Sequence, residues 1–187
     1  MAESPEMVVL VDDDGIPRGA MPKRDVHGAN TPLHLAFSCY ISDPQGRVLV
    51  TRRALGKQTW PGVWTNSFCG HPAPGEAMTD AVKRRAQQEL GASITNVTLH
   101  LPDFRYRALD ASGIVENEIC PVFTAELSSP LAPVHSEVSE WEWTTHAALA
   151  DAVAAAPFAF SPWLREQLPL LLRAHAFTVG VRDDHNA

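Results

Sequence analysis

Cysteine is scarce, with Cys39, Cys69 and Cys120 alone in 187 residues. An odd number at wide spacing argues against a disulfide framework and for a reducing compartment. No run approaches the roughly 18 apolar residues that cross a bilayer. The N-terminal stretch MAESPEMVVLVDDDG starts with acids where a secretory signal needs basic residues. Basic charge is in deficit, 15 Lys and Arg against 22 Asp and Glu, and a net charge of −7 disfavours nucleic acid as a partner. Internal repeats and long linkers are missing too. These absences predict a cytoplasmic protein of one domain, residues 1–187. It is read as a monomer, because no long apolar surface helix or exposed strand stands out. A hydrophobic content of 45% suffices to close a core without metal or disulfide staples.

Strand patterns fill the middle of the chain. MVVLVDDDG reads as a strand ending in a turn, and HLAFSCYISDPQGRVLVTRR as a hairpin turning at Asp43 to Gly46. EAMTDAVKRRAQQELGA has no proline or internal glycine before Gly91, a C-cap signal, and reads as a helix. DFRYRALD and GIVENEICPVFTAEL are two strand-like runs around the turn DASG. EVSEWEWTT is a less clean strand, because Val138 lies on the opposite parity from Trp141 and Trp143. Helices are expected at Thr145 to Ala155 and Pro162 to Ala174. Strands in the middle with helices at 76–91 and the C-terminus make the class α+β, or mixed α/β.

Chemistry is concentrated in three places. Gly70, Glu76, Arg84, Glu89 and Gly91 follow the spacing of the Nudix box, G-x5-E-x7-R-E-U-x-E-E-x-G-U. Arg85 and Gln88 stand where that box has glutamates that hold the divalent ions of diphosphate hydrolysis. The fold signal is therefore strong and the hydrolase signal poor. Arg85 and Glu89, four apart, also fit a helix-surface ion pair. In GIVENEICPVF, Glu116 and Glu118 point to one face of a strand whose two parities are both apolar. Buried carboxylates there need a proton, a partner or a metal; the alternative is a solvated sheet edge, which Pro121 would suit.

Cys69 and His71 sit in SFCGHPAPGE, where the thiol reads as a metal ligand, a reactive group or a small buried side chain. With His27 and His34, His71 makes three imidazoles; adding Glu116 and Glu118 gives five donors, suited to Mn²⁺, Zn²⁺ or Mg²⁺. Basic clusters in PKRD (Lys23, Arg24) and VTRRALGK (Arg52, Arg53, Lys57) are either a solvated face or a site for a phosphorylated small molecule.

TRRALGKQTWPGVWTNSFCGHP, PDFRYRALD, SGIVENEICPVF and FAFSPW together resemble the type I isopentenyl-diphosphate Δ-isomerase family, from about Lys23 to Trp163. The resemblance implies a Nudix-like fold and interconversion of isopentenyl and dimethylallyl diphosphate. It implies that Cys69 and Glu118 are the catalytic pair, on opposite faces of the substrate, with Tyr106 near the acid and Trp163 over a tertiary cation. His27, His34, His71, Glu116 and Glu118 match the family's metal ligands, and Glu89 the carboxylate that holds Mg²⁺ against the diphosphate. Lys23, Arg53, Lys57 and Arg85 match its cationic contacts to the phosphate oxygens, with Arg52 beside them. The two departures from the Nudix box are then what the isomerase pattern requires. A Nudix hydrolase and a catalytically silent binding module are the competing readings.

Overall fold

The computed structural model describes residues 6–177. Strands β1 (Met7–Val11) and β2 (Pro17–Pro22) lead to the one-turn α1 (Lys23–Val26) and to β3 (His34–Leu35). Next come β4 (Phe37–Ser42), β5 (Val48–Arg53), β6 (Trp64–Thr65) and β7 (Phe68–Gly70). Helix α2 (Met78–Leu90) precedes β8 (Ile94–Leu101), β9 (Arg105–Leu109), β10 (Val115–Ile119), β11 (Val122–Leu127) and β12 (Val138–Thr144). Helices α3 (His146–Ala155) and α4 (Pro162–Arg173) flank a 3-10 turn at Pro157–Ala159.

The larger sheet runs β12-β5-β4-β11-β8, with β6 and β7 paired to β5 and β4; the smaller runs β2-β1-β3-β10-β9. Strand β4 is buried on both parities from Phe37 to Ile41, and each face meets its own helical layer. Phe37, Cys39 and Ile41 join Ala81, Val82, Ala86 and Leu90 of α2 in one core. Ala36 and Tyr40 join Leu149 of α3 and Leu164, Leu168 and Leu171 of α4 in the other. Helix α2 ends where Gly91 turns left-handed (φ 58°) and its N–H bonds Gln87 O. A β-carbon at Gly91 would also stand 2.6 Å from Ala132 O, so glycine is required on two counts. Ser161 caps α4 through Leu164 N–H, with Pro162 at its first position.

Three expectations change. The hairpin of β4 and β5 keeps its turn but pairs only at Ser42 and Val48. Beyond that point the strands splay, and residues 64–70 fill the gap by pairing β7 with β4 and β6 with β5. GIVENEICPVFTAEL is two strands in different sheets, broken at Cys120–Pro121, because proline lacks the N–H that would continue the ladder. Strand β10 is flanked on both sides by β3 and β9, so the solvated-edge reading of its glutamates fails. The parity change in EVSEWEWTT is real: the β12–β5 register shifts between Val138 and Glu140. Strands β2 and β8 were not anticipated; β2 is mostly exposed and β8 alternates irregularly, so neither has a clean apolar face.

Candidate active site

Two strand paths run side by side from the smaller sheet into the larger one. β3 continues into β4 across Ala36, and β10 into β11 across Cys120–Pro121, with both pairs parallel. Ala36 N–H bonds Ile119 O and Ser38 N–H bonds Pro121 O, which holds the crossing together. His34 therefore stands opposite Glu118 in the smaller sheet, while Cys69 of β7 stands opposite Ser38 in the larger. Both glutamates of ENE are buried, Glu116 at 7% and Glu118 at 5% exposure.

One donor atom each from His27, His34, His71 and Glu118 lies within 4.8 Å of the others. His34 Nδ1 donates to Pro32 O at 2.9 Å, which turns Nε2 toward the cluster; burial works to lower the His34 pKa, but Glu118 outweighs it and raises it. His34 Nε2 and both ring nitrogens of His71 are buried without hydrogen-bond partners among the described residues. Orphaned imidazole nitrogens grouped around a carboxylate fit a divalent cation. Burial depresses the His27 pKa to about 4, with His34 adding to it, and burial lowers His71 as well; both imidazoles are neutral at pH 7, as ligation requires. Burial alone would raise Glu118, but His34 and His71, each 3.4 Å from Oε1, outweigh it and hold the carboxyl well below the usual range.

Glu116 falls outside that four-residue cluster. It accepts hydrogen bonds from Thr59 Oγ1 and Tyr106 Oη, and burial followed by the Glu118 charge raises its pKa. The two carboxyls of one strand are thus pushed apart, one toward ionisation and one toward protonation, as in acid–base pairs. Tyr106 pairs with Glu118 across β9 and β10 and stacks on Phe104. Its ring lies 5.8 Å from that of Trp163, and Trp60 meets Trp163 edge-on at 5.6 Å. Arg53 Cζ sits 5.3 Å from the Trp163 ring centroid.

Asn66 ties the thiol to the indole. Its Oδ1 accepts from Trp163 Nε1 at 2.9 Å, from Thr65 Oγ1 at 2.9 Å and from Cys69 Sγ at 3.4 Å. Its amide nitrogen donates to Cys39 O and Phe68 O, so Asn66 itself cannot turn. Burial pushes the Cys69 thiol up to about 12, which makes it a thiol at neutral pH. Gly70 must be glycine, since a β-carbon there would meet Arg85 Cγ at 2.7 Å and Phe37 Cζ at 2.9 Å.

A cavity of about 690 Å³ joins these parts, within the roughly 300–1,000 Å³ of small-molecule sites. Cys69, His27, His71, Glu116, Glu118 and Trp163 line it together with Lys23, Arg53, Lys57, Arg85 and Glu89. The cations are paired with carboxylates: Lys23 with Glu6, Lys57 with Glu137, and Arg85 with Glu89. Arg85 and Glu89 are 5% and 7% exposed, so the pair is buried at the cavity wall and the alternative of a helix-surface ion pair fails. Arg52 turns away, bonding Gly62 O and Glu140.

A NUDIX domain matches residues 32–167. An isopentenyl-diphosphate Delta-isomerase of Clavibacter sepedonicus is 60% identical over 183 residues, 98% of this chain and 96% of its own. Another, from Brevibacterium linens, is 63% identical over 182 residues, 96% of this chain and 99% of its own. The chain belongs to the isopentenyl-diphosphate Delta-isomerase family. A crystal structure from Deinococcus radiodurans, 18% identical, is similar in fold alone, with a TM-score of 0.69 over 88% of this chain and 98% of that one.

In this isomerase-family chain the Nudix residues Glu76 and Arg84 form a clamp. Arg84 donates twice to Glu76 at 2.7 Å and once to His71 O at 3.0 Å, fastening the His71 loop to α2. Sequence reasoning overlooked Asn66 and Thr59, which hold the isomerase-family residues in place. Thr59 receives Arg53 on its carbonyl and donates to Glu116. Asn66 lies inside the motif NSFCGHP, and its position before the thiol was the available signal; Thr59 offered none.

Proposed function

We propose that this chain is an isopentenyl-diphosphate Δ-isomerase, interconverting isopentenyl and dimethylallyl diphosphate through a tertiary cation. One observation carries the reading: Cys69 and Glu118, from different sheets, open into one cavity that also holds Lys23, Arg53, Lys57 and Arg85. Those four cations take the diphosphate oxygens: Lys23, Lys57 and Arg85 exchange carboxylate partners for phosphate, and Arg53 exchanges the carbonyls of Thr59 and Trp60. The five-carbon tail then lies between Cys69 and Glu118. One of the pair adds a proton at C4 and the other removes one at C2, so the double bond moves without net change in protons. Positioned acid–base groups contribute about 10²–10⁴-fold each to such steps.

The alkene is a very weak base, so the acid must be held in place and water kept out. Tyr106, Glu116 and Glu118 form the proton-transfer network on one side, and Cys69, aimed by Asn66, faces it across the tail. Trp163, with Tyr106 and Trp60 around it, excludes water that would trap the cation as an alcohol and offers a π face to the charge. His27, His34, His71 and Glu118 would hold one divalent ion, Mn²⁺, Zn²⁺ or Mg²⁺, with Glu116 from outside that cluster as a fifth ligand, and Glu89 a Mg²⁺ with the substrate; when bound, the ions would orient the carboxyls and neutralise diphosphate charge. The same reading makes the protein a cytoplasmic monomer of one domain, with no nucleic-acid or membrane partner; no helix among the described residues is long and apolar enough to cross a membrane. Incubation with isopentenyl diphosphate and Mg²⁺ tests the reading. Formation of dimethylallyl diphosphate supports it, and phosphate release or an unchanged substrate overturns it.

A further inference from the structure

Beside Cys69 runs a chain of hydrogen bonds among side chains that do not line the cavity. Tyr40 Oη donates to Gln167 Oε1 at 3.0 Å, and Gln167 Nε2 donates to Ser38 Oγ at 2.9 Å. Ser38 Oγ then lies 3.3 Å from Cys69 Sγ and 3.4 Å from Cys120 Sγ. Ser38, Tyr40 and Gln167 are each at 0% exposure, inside an otherwise apolar core between β4 and α4. Core positions usually hold apolar groups, because a buried polar group left without its partner is costly. A buried network in which every member is satisfied fixes one arrangement of its members.

Counting protons gives the chain a direction. The buried Tyr40 phenol has one proton, and its partner among the described residues is Gln167 Oε1. Turning the amide over would set that proton against an NH₂ group, so the phenol selects the amide orientation. The amide N–H then takes one lone pair of Ser38 Oγ and leaves the serine's own proton for a sulfur. Cys69 has a separate acceptor for its S–H in Asn66 Oδ1, at 3.4 Å, an oxygen it shares with Trp163 Nε1 and Thr65 Oγ1. Cys120 S–H fills the remaining lone pair of Ser38. With this assignment the phenol, hydroxyl and both thiol protons, and one amide N–H, each have an acceptor, and Ser38 O–H points at Cys69 Sγ.

We propose that Ser38, oriented by Gln167 and Tyr40, is a positioning residue for isomerisation that donates a hydrogen bond to Cys69 Sγ. The inference rests on Cys69 being a proton-transfer group. The bond fixes the direction in which the thiol faces the cavity, and it stabilises sulfur while the thiol proton resides on a substrate carbon. The serine proton stays on its own oxygen throughout; the proton that leaves sulfur is balanced by the one taken up at the opposite face. Gln167 and Tyr40 act only through Ser38.

The test uses full-length chains carrying Ser38→Ala, Gln167→Met, or both, assayed beside the unmodified protein for kcat, KM and thermal midpoint. Ser38→Ala should lower kcat roughly 10- to 100-fold, the range for losing a hydrogen bond to a charged group. KM should stay within about threefold, since the bond matters after binding. Gln167→Met should lower kcat less, and the double variant should be no slower than Ser38→Ala within about twofold, as for residues acting in series. A kcat for Ser38→Ala within about twofold of the unmodified protein, a loss confined to KM, or losses that multiply in the double variant would overturn the proposal. If Ser38→Ala does not fold, Gln167→Met decides alone, and an unchanged kcat overturns it. An unmodified protein with no isomerase activity overturns the functional reading instead, so the two failures are distinct.

Discussion

Replacing Trp163 by Phe and by Leu separates charge stabilisation from cavity shape. The indole is 2% exposed, bonded to Asn66 Oδ1 and bracketed by Trp60 and Tyr106. Either variant loses the indole N–H, a loss of about 0.5–1.5 kcal/mol that cancels when the two are compared. Arg53, 5.3 Å from the ring, is charged before and during the reaction, so its contact affects binding and drops out of kcat. The π face remains as the difference. A cation over it gains about 0.5–2 kcal/mol. At about 1.4 kcal/mol per tenfold, Leu should be slower than Phe by roughly 2- to 30-fold in kcat. The assay is kcat at saturating isopentenyl diphosphate, paired with the affinity of an ammonium analogue whose positive nitrogen occupies the C3 position. The analogue should bind the Phe variant more tightly than the Leu variant. If the two variants agree in kcat and in analogue affinity, Trp163 is only a wall of the cavity and the charge argument is wrong.

Other consequences can be measured on the same protein. Elemental analysis should find about one tightly held divalent ion per chain, and His34→Ala should lose it while the fold persists; an ion-free protein after refolding with Mn²⁺ or Zn²⁺ would contradict the histidine site. Gly70→Ala drives a β-carbon to 2.7 Å from Arg85 Cγ, an overpacking that should cost about 1–3 kcal/mol and lower the thermal midpoint by roughly 2–12 °C. Burial works to raise the Glu137 pKa, but Lys57 and Arg85 outweigh it and hold it below the ordinary 4.5. Its pairing therefore stabilises the fold above pH 4.5 and is lost as pH falls through the lower, folded value. The stability difference between the unmodified protein and Glu137→Gln should be full at pH 7 and shrink below pH 4.5; a constant difference would show that the charge plays no part.

The parts legible in the sequence were those written in local pattern or in a rare combination of residue types. Helix α2 announced itself by composition and by Gly91, and the glutamates of ENE by sitting on a strand with no polar face. Neither the splaying of β4 from β5 nor the entry of residues 64–70 between them was legible. That rearrangement depends on Ser67 bonding Leu49 O and Ile41 N and on Asn66 bonding Cys39 O, contacts across 18 to 27 residues of chain. The strand break at Cys120–Pro121 was marked by proline, but a proline in a strand equally marks an edge, and only the pairing of β3 with β10 decides between them. For the same reason Ser38, Asn66 and Gln167 passed unremarked. A polar residue in an apolar stretch gains meaning only when its partner, here as far as 129 residues away, is in place.

Following isopentenyl diphosphate by NMR in D₂O with Mg²⁺, using the unmodified protein and Cys69→Ala, tests the central claim most directly. The account predicts dimethylallyl diphosphate with deuterium at the C4 position, no free phosphate, and a rate lowered by about 10²-fold or more in a folded Cys69→Ala protein. Turnover without deuterium at C4, release of phosphate, or near-normal isomerisation by Cys69→Ala would contradict it.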